Sequence, residues 1–246
     1  MKVLSLGAGV NSTALLVLKA QDKVDFDLAI FADTGGEQPE TYQYIETVIK
    51  PFCQKHNIDL RIVRRDGKLL YQDYMEKKII PTTVWRSCSD HFKIRVIRKY
   101  LIHNYAKESI VTLIGFCKGE EDRVKKNDCG SIMPLIDMGI DREGCKRIIA
   151  EAGLPIPIKS GCFFCPFQEA KSWLSILKNH PDYFAKAEAL EKNGKRYPEL
   201  ILPFYAHLSC EQLRKATEEQ RSMLRWMPKS PSCPMCEIED NEEAKA

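Results

Sequence analysis

The strongest constraint on the fold is an alternation of short apolar runs with helix-length segments over the first 116 residues. The strand-like runs, rich in valine, isoleucine and leucine, are residues 2–6, 27–33, 59–65 and 109–116. The helix-like segments between them are residues 12–20, 39–56 and 91–105. Because parallel strands need a crossover connection, usually a helix, this order predicts a doubly wound, mostly parallel α/β sheet.

The second half of the sequence has a different pattern. Residues 134–154 predict a turn and then a helix that ends at Gly153, and further helical spacing covers 168–190 and 209–226. A segment dense in proline and cysteine lies between these helices. We therefore expect a nucleotide-type α/β domain, a helical, cysteine-bearing region and a disordered acidic tail, over residues 1–158, 159–236 and 237–246 respectively.

The composition indicates a cytoplasmic protein. The chain has 37 lysines and arginines against 34 acidic residues, a balance too even to indicate nucleic-acid binding by itself. It has no run of 18 apolar residues and no signal peptide at its start, so we expect no membrane partner. A local basic run covers Lys93–Lys99, and Lys118, Lys125 and Lys126 add to it. This run indicates either a solvated helix face or contacts with the phosphates of a polyanion.

A glycine-rich turn, residues 7–13, joins the first predicted strand to the first predicted helix. Gly7 and Gly9 allow the backbone to turn tightly and approach a ligand. The helix that follows directs N–H groups and the positive end of its dipole at an anion, and Ser12 and Thr13 add hydroxyl groups. The turn lacks the lysine of a Walker A loop and the third glycine of a dinucleotide fingerprint. Taken alone, it is compatible with a phosphate site or with a plain strand-to-helix connection.

Four motifs in this order resemble those of a known superfamily. The glycine-rich turn is similar to the PP-loop, usually SGGxDST, of the N-type ATP pyrophosphatases, or adenine nucleotide alpha hydrolases, which have a Rossmann-like HUP fold. The other three are similar to the phosphoadenosine-phosphosulfate reductase branch and comprise Phe31-Ala32-Asp33-Thr34-Gly35 with Pro39-Glu40-Thr41, Cys88 with Phe92-Lys93-Ile94, and Gly115 with Glu120 and Arg123. The resemblance covers residues 1–167, about two thirds of the chain.

The sequence departs from this family in two places. Asn11 stands where the loop usually has an aspartate, which weakens any role of this side chain in holding Mg²⁺. The Glu-Cys-Gly-Leu-His motif that carries the catalytic cysteine of the reductases is absent from the sequence. The resemblance therefore favours a member of the branch that does not reduce sulfonucleotides.

The resemblance implies an ATP pyrophosphatase that prepares a substrate for sulfur transfer. In this chemistry a substrate oxygen attacks the α-phosphorus of ATP, pyrophosphate leaves with its charge neutralised by Mg²⁺, and sulfur then displaces the activated oxygen. Among members of this branch, the chain looks most like the sulfur-incorporating proteins of DNA phosphorothioation systems, which pair with a cysteine desulfurase. A tRNA thiolation enzyme, a sulfonucleotide reductase and a non-catalytic nucleotide-binding module are the alternatives, and a homo-oligomer is compatible with each.

The resemblance and the strand ends together indicate the residues of the site. The candidate nucleotide-binding residues are Ser5, Gly7, Gly9, Asn11, Ser12, Thr13, Asp33, Thr34 and Gly115. The candidate catalytic residues are Ser12, Asp33, Lys93, Glu120 and Arg123. Lys93 and Arg123 would provide cations near the phosphates, and Glu120 would orient Arg123 or a metal-bound water. Asp33, at the end of the second strand, would meet the adenosine or a metal, or would cap the next helix.

Ten cysteines are many for a protein in a reducing compartment, where disulfides are rare. Two CxxC pairs stand out, Cys162 with Cys165 and Cys233 with Cys236. The resemblance pairs Cys88 with the first of them, which implies that Cys88, Cys162 and Cys165 hold a [4Fe–4S] cluster, with Zn²⁺ as the alternative. The fourth ligand is open between Cys210, a tail cysteine and no protein residue.

The remaining cysteines and the C-terminal aromatic residues are expected to have plainer roles. Cys53 and Cys145 fit buried positions, Cys129 has no pairing partner in the sequence, and Cys117 lies close to the presumed site. The aromatic residues in helical patterns, which we expect in a core rather than stacked on bases, are Trp173, Tyr183, Phe184 and Trp226.

Overall fold

The computed structural model describes residues 1–81, 87–106, 108–124, 130–194, 209–218 and 220–221 of the 246-residue chain. Some sequence-based expectations lie outside these residues, namely those for Lys125, Lys126, Cys129, Trp226, Cys233, Cys236 and the acidic tail 237–246. None of the helices in the described part of the chain is long and apolar enough to cross a membrane.

The four predicted strands form one parallel sheet. They are β1 (Lys2–Leu6), β2 (Leu28–Asp33), β3 (Leu60–Arg64) and β4 (Val111–Leu113), in the spatial order β3-β2-β1-β4. The register pairs Leu6 with Phe31 and Asp33 with Arg64, so the carboxyl ends of β1, β2 and β3 lie side by side. The predicted α/β class with a parallel sheet is confirmed, although β4 is shorter than the apolar run at 109–116.

Helices connect the strands as the apolar spacing predicts. Those of the first two connections are α1 (Val10–Ala20), α2 (Pro39–Tyr44) and α3 (Lys50–Lys55). Those between β3 and β4 are α4 (Leu70–Lys77), α5 (Ser87–Ser89) and α6 (Arg95–Tyr105). Those that follow β4 are α7 (Glu121–Val124), α8 (Pro134–Asp137), α9 (Arg142–Glu151), α10 (Ala170–Asn179), α11 (Pro181–Asn193) and α12 (Cys210–Lys215).

Two π-helical turns interrupt segments that the sequence predicts as single helices. One, Ile45–Ile49, joins α2 to α3, and the other, Asp90–Ile94, precedes α6. Pro51 stands in the first turn of α3, directly after the first of these turns. Because proline has no N–H to donate, the regular ladder of hydrogen bonds cannot pass through it, and the wider π turn lies just before it.

The sheet is covered on both faces, which explains why its strands are continuous apolar runs. All six residues of β2 are buried, and the first five alternate between two apolar clusters. Ala29 and Phe31 face a cluster that contains buried residues of α1 and α9, whereas Ile30 faces a cluster that contains Val96 and Leu101 of α6. Helices on both faces make the sheet doubly wound, as predicted.

The strand order reverses between β1 and β4. The chain runs from β1 outward through β2 to β3 and then returns to the other side of β1 to form β4. In sheets of this kind, ligands bind in the crevice at the carboxyl ends of the two strands where the order reverses. The loops after β1 and β4 are therefore the first place to look for a site.

The chain divides into two compact units. The first contains residues 1–65 and 91–160 and holds the whole sheet, and the second contains the described residues of 66–90 and those from Gly161 onward. Within the second unit, Trp173 and Phe184 are buried and pack edge to face with their ring centroids 6.2 Å apart, as expected of core residues. The domain boundary at residue 158 stays a prediction.

Candidate functional site

In the loop after β1, the chain turns at Ala8, and Gly9 lies very close to another part of the chain. Ala8 has a left-handed backbone with φ of 55°, whereas Gly9 is extended. A Cβ at Gly9 would lie 2.9 Å from Oγ of Ser160, so a larger residue would have to displace that side chain. The glycine at position 9 therefore serves a close approach rather than the turn itself.

Ser12 braces this loop from within. Its hydroxyl oxygen accepts a hydrogen bond from the N–H of Gly7 at 3.2 Å and donates one to the carbonyl of Gly9 at 3.2 Å. The N–H of Thr13 also donates to Gly9 at 3.0 Å, which begins α1. The first N–H groups of α1 have no partner within the helix, and such groups can bind an anion.

The loop after β4 lies directly against the first turn of α1. A Cβ at Gly115 would be 3.2 Å from the backbone nitrogen of Ser12. The Asn11 amide nitrogen donates to the carbonyl of Gly115 at 2.9 Å and to Oε2 of Glu120 at 3.0 Å. Both partners can only accept, so the nitrogen must face them, and the Asn11 oxygen is buried without a hydrogen-bond partner among the described residues. These contacts hold the two loops together.

Glu120 is the centre of this network. Its Oε2 atom accepts from the backbone N–H of Cys117 at 3.0 Å as well as from Asn11, and its Oε1 atom forms an ion pair with Arg123. The Arg123 guanidinium also lies over the ring of Phe116, 4.2 Å from its centroid. Glu120 thus contacts Arg123 as the sequence predicts, and the structure adds Asn11 and Cys117 as further partners.

Cys117 is a protonated thiol at neutral pH. Its Sγ donates to Oε2 of Glu120 at 3.4 Å, and the residue is 3% exposed. Burial, and then the neighbouring Glu120 carboxylate, raise the pKa of this thiol to about 11. Because the thiolate is the reactive form, Cys117 does not provide a ready nucleophile here.

Both carboxylate oxygens of Asp33, at the end of β2, accept hydrogen bonds from other residues of the chain. Its Oδ1 atom accepts from the hydroxyl of Tyr42 at 2.7 Å and from the N–H of Gly35 at 2.8 Å. Its Oδ2 atom accepts from Nε and Nη2 of Arg64 at 2.8 and 2.6 Å. Burial and the Asp33 carboxylate raise the pKa of Tyr42. A metal or an adenosine could reach Asp33 only by displacing one of these groups.

A buried ion pair lies in the segment that follows Asp33. The Glu37 side chain is 1% exposed, and its Oε1 accepts from Nζ of Lys93 at 2.9 Å and from the hydroxyl of Thr34 at 3.2 Å. Its Oε2 is buried without a hydrogen-bond partner in the described part of the chain. Lys93 is thus a cation held by a carboxylate from the loop after β2.

Sequence reasoning missed three residues of the site: Glu37, Tyr42 and Arg64. A signal existed for Arg64, because it ends β3 as Asp33 ends β2, and neighbouring parallel strands bring such residues together. The structure brings Asn11, Ser12, Gly115, Glu120 and Arg123 into one network, and Asp33, Thr34 and Lys93 into contact with the missed residues. Of the remaining candidates, Ser5 lies near the end of β1, Gly7 and Gly9 form the loop, and Thr13 is buried in α1.

The candidate metal ligands belong to the second unit. Cys162 and Cys165 form a turn in which the N–H of Cys165 donates to the carbonyl of Cys162 at 3.0 Å. The Tyr74 side chain is almost fully buried; burial and then the nearby Cys88 and Cys162 raise its pKa. These two cysteines, distant in sequence, therefore lie near one hydroxyl group. Cys88, Cys162 and Cys165 are all half-buried free thiols.

In the described residues, no three cysteine, histidine, aspartate or glutamate side chains stand close enough together to hold a metal ion. Cys210, one option for the fourth ligand, is buried at the start of α12, and its N–H donates to the Glu191 carboxylate at 3.1 Å. Burial and Glu191 raise the pKa of Cys210, which favours the thiol over the thiolate that a metal binds. The donor type of Cys88, Cys162 and Cys165 fits a thiophilic metal, and the ligand set stays a prediction.

Comparison with known families identifies the chain. A model of the phosphoadenosine phosphosulfate reductase domain matches residues 2–145, more than half of the sequence. The chain belongs to this family. The match includes the four strands and the networks around Glu120 and Asp33, and it ends within α9, before the Cys162–Cys165 turn. The phosphoadenosine phosphosulfate reductase domain is thus the part of this chain that carries the candidate nucleotide site.

Relatives of this family member include two uncharacterized proteins of Methanocaldococcus jannaschii. MJ0973 is 24% identical over 217 residues, which are 80% of this chain and 50% of that protein. MJ0066 is 25% identical over 194 residues, which are 72% of this chain and 38% of that protein. The chain spans half or less of the length of these curated relatives.

Two solved structures have a similar fold. A phosphoadenylyl-sulfate reductase from Candida auris, in a phosphate complex, is 18% identical with a TM-score of 0.44, over 63% of this chain and 74% of that one. The U34-tRNA thiolase NcsA from Methanococcus maripaludis, with its [4Fe-4S] cluster, is 17% identical with a TM-score of 0.47, over 93% and 83% of the two chains.

Proposed function

We propose that this chain is an ATP pyrophosphatase that activates a nucleic acid for sulfur transfer, as in DNA phosphorothioation. The observation that carries the proposal is the lysine-free loop after β1, braced by Ser12 and packed against Gly115 where the strand order reverses. A loop of this kind offers backbone N–H groups and a helix N-terminus to phosphates.

The proposed reaction has two steps. An acceptor oxygen bonds to the α-phosphorus of ATP while the bond from that phosphorus to the bridging oxygen breaks, so pyrophosphate leaves with both electrons of the bond. Sulfide then bonds to the acceptor atom, and the activated oxygen leaves as part of AMP. A cysteine desulfurase is the partner that we propose as the source of the sulfur. It provides the sulfur as a persulfide, from which a thiol releases sulfide by forming a disulfide.

The residues of the first unit would bind and orient the nucleotide. The N-terminus of α1 would hold the phosphates, and Arg123, oriented by Glu120 and Phe116, would offset their charge from the loop after β4. Lys93, held by Glu37, would do the same from the segment before α6. Because the Asp33 oxygens are occupied and Asn11 replaces the usual aspartate, Mg²⁺ would arrive on the ATP phosphates, where it neutralises the leaving pyrophosphate.

The second unit would hold the sulfur-handling group. Cys88, Cys162 and Cys165 are the residues that we propose as ligands of a [4Fe–4S] cluster, with Zn²⁺ as the alternative. A cluster with an iron free of protein ligands would carry the sulfide for transfer when it is bound. Tyr74 lies near Cys88 and Cys162, where its hydroxyl would orient a thiolate.

The experiment measures AMP and pyrophosphate released by anaerobically purified protein from ATP and Mg²⁺. Ser12→Ala removes the hydroxyl that braces the loop, and we expect it to reduce pyrophosphate release by at least tenfold. Ser109→Ala is the matched control, because Ser109 is exposed near the opposite, amino end of β4. Release of ADP and phosphate would contradict the proposal. ATP binding without turnover, when DNA and tRNA are present as acceptors, would contradict it as well and would favour a non-catalytic module.

The acceptor is identified in the same assay by adding radiolabelled sulfide with DNA or with tRNA. Label in DNA supports phosphorothioation, and label in tRNA supports the tRNA thiolation alternative. Release of sulfite from a sulfonucleotide would instead indicate a reductase, for which the protonated Cys117 provides no ready thiolate.

A further inference from the structure

We propose that the solvent-facing side of α6 binds the phosphodiester backbone of the nucleic acid that the enzyme modifies. This side, the α6 basic face, consists of Arg95, Arg98, Lys99, Ile102 and His103. Their spacing of three and four residues places them on one face of the helix. The choice of nucleic acid as the partner rests on the proposed function, whereas binding at this face is measured without ATP.

The α6 basic face points away from the sheet. Val96 and Leu101 of the same helix are buried against the strands, whereas all five residues of the face are exposed and line a shallow groove. Ile102 is 57% exposed in this groove between charged neighbours. An apolar side chain among cations suits a ligand that has both phosphates and the flat faces of sugars and bases.

The basic side chains of this face lie close together. Arg95, Arg98 and Lys99 fall within two turns of α6, and the 11-residue helix contains no aspartate or glutamate. Acidic groups of the chain that offset this charge therefore lie outside α6, and a row of phosphates would add to them.

The position of α6 links this face to the candidate site. The helix connects β3 to β4 in a parallel sheet, so it runs from the carboxyl edge of the sheet, where the site lies, toward the amino edge. Lys93, just before α6, contacts Glu37 in the segment that follows β2. The 11-residue helix is about 16 Å long, which spans about five phosphates of one strand of a B-form duplex. A nucleic-acid strand bound along α6 would extend its backbone toward the carboxyl edge of the sheet, where the candidate site lies.

The test measures binding of fluorescent single-stranded DNA, duplex DNA and RNA to the full chain at several salt concentrations. The variant is Arg95→Gln with Arg98→Gln and Lys99→Gln. We expect at least a tenfold loss of affinity near 0.1 M salt. The slope of log affinity against log salt should fall by about two to three, because each lost phosphate contact contributes about 0.7 to 0.9.

The matched control is Lys23→Gln with Lys50→Gln and Lys55→Gln. These lysines carry the same total charge; Lys50 and Lys55 lie on α3, on the opposite side of the sheet from α6. The control should retain the wild-type affinity and salt slope. Pyrophosphate release without nucleic acid should be unchanged in the α6 variant, so a failure of the proposed ATP chemistry is recognised separately.

Equal affinity and equal salt slope in both triple variants would overturn the proposal, as would a wild-type chain that binds none of the three probes. If affinity is lost in the α6 variant alone, a preference for RNA or for DNA would support the proposal and identify which nucleic acid the α6 basic face binds. Arg98→Glu, a single change at the middle of the face, should weaken binding in the same direction and provides a second test if the triple variant does not fold.

Discussion

At the scale of single residues, the amide of Asn11 connects the loops on which the candidate site is built. It gives one hydrogen bond to Gly115 and one to Glu120. The usual aspartate of this superfamily could donate neither, and its carboxylate would face another carboxylate. The asparagine at position 11 therefore suits its two acceptor neighbours, which an aspartate would not.

We predict that Asn11→Asp, which restores the family pattern, destabilises this chain. The new carboxylate would lie about 3 Å from an oxygen of Glu120, and two partly buried hydrogen bonds would be lost, at a cost of about 2 to 4 kcal/mol. Urea denaturation at several pH values measures this cost, which should shrink as the pH falls and one carboxyl of the pair becomes protonated. Asn11→Ala is the control, since its cost should not depend on pH in this way.

The Glu37–Lys93 pair predicts an asymmetric response to mutation. Lys93→Gln leaves the buried Glu37 carboxylate without its cation, whereas Glu37→Gln leaves an ammonium group that is 37% exposed and can be hydrated. We expect Lys93→Gln to lower the free energy of unfolding by about 3 kcal/mol and Glu37→Gln by about 1 kcal/mol. Urea unfolding of both variants and of the double variant should give non-additive effects. Equal, additive losses would show that the two residues do not act as a pair.

Close packing at Gly115 gives a third prediction. Gly115→Ala would place a methyl group 3.2 Å from the backbone of α1, so the loop after β4 must move away from the loop after β1. We expect a loss of about 1 to 3 kcal/mol in stability, from the overpacking, and a larger proportional loss of pyrophosphate release. Gly139→Ala, at an exposed turn with open space around it, should affect stability through its left-handed backbone but leave the pyrophosphate release of the folded protein unchanged.

At the scale of helices and strands, α12 is attached to α11 by charged side chains. Arg214 of α12 donates to both oxygens of Glu188 in α11, at 3.0 and 3.3 Å, and Lys192 also contacts Glu188 at 2.8 Å. The hydrogen bond from Lys192, and then that from Arg214, hold the pKa of Glu188 below its usual value. The stabilisation is therefore present above the pKa of an unfolded glutamate, about 4.3, and is lost as the pH falls below it.

We predict that the amides of α12 lose protection from hydrogen exchange as the pH is lowered from about 6 to 3. Glu211 of α12 also pairs with Lys192 of α11, at 3.1 Å, so two ionic contacts join the helices. Arg214→Gln combined with Glu211→Gln should reduce the protection at pH 6 to nearly the low-pH level and remove most of this pH dependence. Lys215→Gln is the control, because Lys215 pairs with Glu211 within α12. A pH dependence that survives in the double variant would mean that other groups attach α12.

The strands and helices follow from the sequence because their apolar spacing is local. The alternation over the first 116 residues predicts four strands and the helices between them, and parallel pairing then follows from the crossovers. The partners of Asp33 do not follow, because they depend on which strands are neighbours. Arg64 reaches Asp33 only because β3 pairs with β2, an order that the spacing of apolar residues does not contain.

The residues of the candidate site also fall into those that the sequence predicts and those that it does not. Ser12 and Gly115 can be found because short motifs mark them, whereas Glu37 has no such mark, since a charged residue in a loop is usually solvated. Its burial arises from the contact with Lys93, more than fifty residues later in the chain. The π-helical turns are missed because the same spacing of apolar residues suits an unbroken helix.

At the scale of the whole molecule, the residues of the nucleotide site and the candidate metal ligands belong to different compact units. We predict that Cys162→Ser lowers the iron and sulfide bound after anaerobic reconstitution by at least half while the affinity for ATP changes by less than twofold. Metal analysis and ATP titration measure the two quantities. Cys53→Ser, at a buried thiol in the first unit, should retain the iron. Full retention of iron in Cys162→Ser would contradict the ligand set.

The division into units also has a consequence for synthesis on the ribosome. The first unit is interrupted by residues 66–90, so it can complete itself once residue 160 has emerged, while the interrupting segment has not yet met the rest of its unit. Cys88 is translated 74 residues before Cys162. At about 5 to 20 residues per second, roughly 4 to 15 s therefore pass between the synthesis of Cys88 and that of Cys162, the two cysteines near the Tyr74 hydroxyl. The nascent chain would therefore have an assembled first unit before the proposed metal ligands come together, so loading of the proposed cluster would belong to the last stage of its maturation.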